Sequence, residues 1–134
     1  REPGVLVRAP WLGANAGTPD LFTPAVVPAH PAAMALGLLL ERLQQAVPLR
    51  FAAATLLAPA SEFGRGALDE LHQQTVTLLS FQTLPRAIFD AQATYNLLAG
   101  LGETAKIDIG AWDARIHRHY QALGSGRWPS LALA

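Results

Sequence analysis

Residues Ala32 to Leu40 are apolar at every position, with Pro31 directly ahead of them and Pro48 beyond. A proline suits the first turn of a helix, and Glu41, Arg42, Gln44 and Gln45 give the far end contact with water, so the pattern predicts a helix over Pro31–Gln45. A helix that is apolar around most of its circumference has to be largely buried. The apolar run is also far short of the ~20 residues needed to cross a bilayer.

The rest of the composition agrees with a packed domain. Of 134 residues 51% are hydrophobic and 15% charged, with 10 acids balancing 10 Lys and Arg. That balance belongs to a globular chain, and it supplies no basic stripe for phosphates, so neither nucleic acid nor an anionic membrane surface is expected as a partner. Arg1-Glu2-Pro3-Gly4 lacks the basic-then-apolar pattern of a signal peptide, and a cytoplasmic protein is expected. The sequence contains no cysteine, which excludes disulfides, thiolate metal sites and thiol nucleophiles from these residues.

Along the chain, Val5-Leu6-Val7 and Ala25-Val26-Val27 read as short strands around a Gly-, Asn- and Pro-rich loop from Leu12 to Pro24. Arg50 to Ala58 is a continuous apolar run suited to a strand covered on both faces. After a turn at Ser61–Gly66, a helix is expected from Ala67 to Ser80. It places Leu68, Leu71, Thr75, Leu78 and Leu79 inward and Asp69, Glu70, Gln73 and Gln74 toward solvent. Phe81 to Gly102 reads as irregular, packed backbone. A third helix, Gly110–Leu123, carries a core stripe of Trp112, Ile116, Tyr120 and Leu123. Leu131 to Ala134 reads as a strand whose partners lie outside the sequence, so the chain is expected to be truncated at its C-terminus.

Two ordered blocks carry a likeness to a known family. Gly64-Arg65-Gly66-Ala67-Leu68-Asp69-Glu70-Leu71, with Gln74-Thr75 and Leu78-Leu79, resembles the turn and amphipathic helix of aspartate-semialdehyde dehydrogenases. Phe89 to Leu98 resembles that family's Phe-Pro-x-Pro-Ile-Ala-Phe-Asn segment at a suitable distance, and the chain is most similar to the Usg-type members. The resemblance implies an α+β fold: a mixed β-sheet with helices packed on one face, as in the catalytic and dimerisation domain of glyceraldehyde-3-phosphate dehydrogenase. It implies that residues 1–30 end a nucleotide-binding domain and its linker, and that 31–134 belong to the dimerisation domain. A homodimer is implied too. NADP would be a cofactor of the full-length protein, since no G-x-G-x-x-G occurs here, and this segment alone would hold none.

The same resemblance assigns positions within the site. The family's cysteine follows a short strand and turn at a helix N-terminus, which favours a thiolate and a developing oxyanion. The matching turn, Val27-Pro28-Ala29-His30-Pro31, puts His30 at that position and Ala58 where the family has its substrate-orienting glutamine. Imidazole does not readily replace a thiolate in forming an acyl-enzyme, so no catalytic residue is expected. Ser61 and Gly64 are the retained positions of the cofactor-side turn, with Glu62 and Phe63 in place of small residues, and Asp113 is the candidate substrate contact.

Read without the resemblance, His30 is a helix-capping histidine that could alternatively act as a base or ligand. His117 and His119, two apart on a helix, make a poor metal pair and read as solvated, and His72 likewise. No metal site is expected. The functional reading is a dimerisation domain of a dehydrogenase-like protein without the thiol chemistry. The alternative is an active NADP-dependent semialdehyde dehydrogenase of amino-acid biosynthesis.

Overall fold

A computed structural model of the chain describes residues 5–9, 12 and 21–134. Among them are β1 (Val5–Arg8), β2 (Ala25–Pro28), α1 (Pro31–Ala46), β3 (Phe51–Ala54), α2 (Arg65–Leu79), α3 (Ile109–Gly124) and β4 (Ser130–Leu133). A short 3-10 turn, Ala60–Phe63, precedes α2. The described residues make a small α+β structure, and the three helices fall where the sequence placed them. Most of the loop expected between Leu12 and Pro24 lies outside the described residues. Contacts divide the chain into two compact units, Arg1–Leu56 with Trp112–Ala134, and Leu57–Ala111.

In the first unit the strands pair in parallel. β1 joins β2 with Val5 opposite Ala25, and β3 joins β4 with Phe51 opposite Ser130. These are separate two-stranded sheets, rather than the one mixed sheet expected, and the last strand finds its partner in β3 of this chain, not outside the sequence as expected. Parallel partners cannot be closed by a tight hairpin, so each pair joins segments distant in sequence, and short-range pattern does not reveal which strand meets which.

The core lies on one face of β3 and β4. Ala52, Leu131 and Leu133 pack with Ala33 and Leu40 of α1 and with Ile116 and Tyr120 of α3. A second cluster joins Ala29, at the end of β2, to Leu123, with Met34 and Leu38 against them. Trp128 belongs to both. Its indole lies so close to Gly37 of α1 that a Cβ there would overlap the ring, and one added at Gly124 of α3 would come within 2.9 Å of it. The glycines are needed for close approach, and α3 is held against α1 through this ring. Tyr120 completes the wedge, its ring centroid 4.9 Å from that of Trp128 and its hydroxyl donating to the Pro129 carbonyl at 2.9 Å.

Two burial expectations are corrected. Phe51 is 62% exposed and β3 alternates, because helices cover only one face of its sheet among the described residues. α1 buries Ala33, Gly37 and Leu40 but leaves Leu39 56% exposed, so it is half covered rather than largely buried.

The second unit corrects the expected faces of α2 at four positions. Glu70 and Gln74 are 5% and 0% exposed, whereas Leu68 and Leu79 are exposed. Asp69 and Gln73 do face outward. The irregular backbone after α2 explains the burial of Glu70 and Gln74: lacking a ladder, its buried amides and carbonyls need partners, and α2 supplies them. The Glu70 carboxylate accepts from Ile88 N at 2.7 Å and Phe89 N at 3.1 Å. The Gln74 side chain donates to the carbonyls of Pro85 (2.8 Å) and Ala91 (2.9 Å) and accepts from Ala93 N (2.8 Å) and Thr94 N (3.2 Å). Thr75 and Thr94 hydroxyls meet at 2.8 Å. Asp90, with a φ of 50°, turns back to accept from Thr104 N at 3.0 Å, which holds its carboxyl below the usual range.

Candidate functional site

The head of α1 is the candidate site, because it is where a strand delivers the chain to a helix N-terminus. β2 ends at Pro28, Ala29 N donates to the Arg8 carbonyl at 2.8 Å, and His30 follows as the N-cap of α1. With φ −60° and ψ 135° its backbone is extended, which aims its side chain back over the first turn. His30 Nδ1 accepts from Ala32 N at 3.2 Å, and Pro31 has no amide to satisfy. His30 is buried, its ring edge-on to Trp112 at 5.7 Å and 86°. Helix capping, which the sequence offered as one reading of this residue, is what it does.

His119 is the residue sequence reasoning missed here. It was expected on a solvated face, yet its Nδ1 accepts from the His30 backbone N–H at 2.8 Å and it is half-buried. Partial burial, then His30, Arg115 and Arg118, hold its pKa below the ordinary imidazole value. Its spacing from Ile116, three residues back on the buried side of α3, was the available signal, since i and i+3 are helical neighbours. His117 is half-buried as well, at an open cleft of about 450 Å³ that it shares with Gln121 and Ser130. His72 is exposed on α2.

Asp113 is half-buried, one turn into α3, whose first turn is capped by Asp108 Oδ1 accepting from Ala111 N at 2.8 Å. Ala58, Ser61 and Gly64 belong to the second unit and are exposed. Gly64 adopts φ 87°, a conformation that side-chain-bearing residues rarely take, and nothing lies within 4 Å of where its Cβ would be. Backbone conformation, not crowding, calls for glycine there. The turn fits a phosphate-bearing cofactor poorly: the amides of Glu62 and Gly64 are spent on the Pro59 and Ser61 carbonyls, and Glu62 brings negative charge. Among the described residues no three His, Asp or Glu side chains are grouped to hold a metal ion. Nor is any described helix long and apolar enough to cross a membrane.

Chemically, the head of α1 holds two imidazoles, each using Nδ1 as an acceptor for backbone, with an indole against one of them. Neither Nδ1 is available to a substrate while those bonds persist. Comparison with family models, with curated proteins and with solved structures finds no match.

Proposed function

We propose that this chain is the dimerising portion of a protein with the architecture of an aspartate-semialdehyde dehydrogenase, one that does not perform the thiol-dependent reaction. The observation that carries the reading is His30. It caps the helix that follows the second strand of a parallel pair, the position given to the nucleophile by the likeness, and its Nδ1 is committed to Ala32 N. A capping imidazole can neither attack a carbonyl to form a thioester nor leave the backbone without uncapping the helix.

A second support lies in the blocks that carry the likeness. Glu70 and Gln74 of the first block bond backbone at Phe89, Ala91, Ala93 and Thr94 of the second, which gives both blocks one structural reason to occur together. In this reading residues 31–134 form the dimerisation domain, related in fold to that of glyceraldehyde-3-phosphate dehydrogenase. Any NADP would be held elsewhere in the full-length cytoplasmic protein.

Dimerisation is assigned to the outward face of β3 and β4. Phe51, Ala53, Ser130 and Ala132 are exposed there and uncharged, as suits a two-fold interface between like surfaces. Analytical ultracentrifugation of the intact protein at micromolar concentration should give a dimer, and Phe51→Glu should shift it toward monomer by placing a charge on the face. A monomer before any substitution would remove the dimerisation part of this reading.

A further inference from the structure

We propose that His30 and His119 form an acid-released latch joining the head of α1 to α3. The latch consists of two hydrogen bonds in series. His119 Nδ1 accepts from His30 N at 2.8 Å, and His30 Nδ1 accepts from Ala32 N at 3.2 Å. A neutral imidazole has one accepting and one donating nitrogen, so both rings carry their proton on Nε2 while the latch is closed. Protonating His119 turns its Nδ1 into a donor facing another donor, and the bond between the two elements is lost.

Among the described residues, the surroundings offer no relief to a charged His119. The amino end of α1 is the positive end of its dipole. The ionisable groups that act on His119 are His30 at that end and Arg115 and Arg118 on its own helix, each positive or able to become so. Arg8, another cation, is the only ionisable residue of β1 and β2, which approach the same head. Trp112, against His30, does not titrate. Asp113 and His117 stand on α3 at offsets of six and two residues, which point them away from the His119 side.

Burial and these charges lower the His119 pKa in the folded chain below its unfolded value of about 6.5. The unfolded chain then binds the proton more readily, so stability rises with pH across that interval. The latch contributes fully above about pH 6.5, and its contribution is lost as the pH falls through 6.5 toward the folded pKa. One differential proton raises the unfolding constant at most about tenfold per pH unit in that window.

The test combines imidazole 15N NMR on the intact chain with urea unfolding at pH 7.5, 6.5, 5.5 and 5.0. At pH 7.5 His119 should show an unprotonated, hydrogen-bonded Nδ1, and it should titrate with a midpoint below 6.5. His119→Gln keeps an acceptor oxygen but cannot titrate, so its unfolding constant should rise less on acidification than that of the native chain, by up to tenfold per unit. His117→Gln should behave like the native chain. A proton on His119 Nδ1 at pH 7.5, or a midpoint at or above 6.5, overturns the latch. So does an equal pH response in native protein and His119→Gln. Should that variant fail to fold, the NMR measurement on the native chain decides alone.

Discussion

Glu70→Ala is expected to open the second unit, lowering the free energy that protects α2 and residues 85–94 by about 2–4 kcal/mol. The substitution strips partners from the Ile88 and Phe89 amides and from one contact of the Gln74 side chain, and a methyl group cannot reach any of them. Each buried amide left unpaired costs about 1–3 kcal/mol, partly offset because a buried carboxylate no longer has to be desolvated. The loss corresponds to a roughly 30- to 1,000-fold rise in the opening constant. Amide hydrogen exchange resolved by residue reads it directly, with Asp69→Ala, one position away on the exposed side, as the control. Protection unchanged to within twofold in Glu70→Ala would mean that the carboxylate does not hold this loop. Gln74→Ala should act on the same segment, and the double variant should cost less than the sum, because the two side chains share partners.

Ile116→Ala should be comparably severe in the first unit. Ile116 is 0% exposed and sits where α1, α3 and the inner face of β3 and β4 converge. Replacing it removes three carbons from a packed interior whose neighbours include the rigid ring of Tyr120, so the space closes only in part. Such truncations cost about 2–5 kcal/mol, a large share of the stability of a domain this size. Urea unfolding measures it. A loss below ~1 kcal/mol would mean that this junction is loosely packed. The neighbouring exposed residue, Arg115, is a poor control, because it acts on His119; Gln121→Ala, exposed on the same helix, serves better.

The helices were legible because their ends are marked chemically. Pro31 opens α1, Gly64 opens α2 with a conformation suited to glycine, and the Gly124-Ser125-Gly126 sequence closes α3. The stripe of Ile116, Tyr120 and Leu123 was legible for the ordinary reason that apolar residues at helical spacing point one way. Reading failed on α2, where a rule that sends Glu and Gln outward meets a helix whose task is to satisfy backbone. The signal was present in the long stretch after it, rich in turn formers and without ladder partners, which required polar residues from somewhere. Strand pairing failed because the four described strands are each four residues long and their partners remote. At the candidate site, His30 was legible as a cap from its place before Pro31. His119 was not, since its contact spans 89 positions of sequence and is made to a main-chain N–H that any residue type carries.

In the proposed function a capping imidazole, His30, stands where the dehydrogenase reaction needs a thiol. An assay of NADPH formation by the full-length protein with aspartate semialdehyde, NADP and phosphate tests it most directly, run in parallel with intact-mass spectrometry for a trapped acyl adduct. The expected result is no NADPH above the rate without protein and no mass shift, because these residues contain no cysteine to form the covalent intermediate. Robust turnover by the unmodified protein, with an acyl adduct mapped to residues 25–40, would rule out the inactive-homologue reading and make the chain part of a working dehydrogenase.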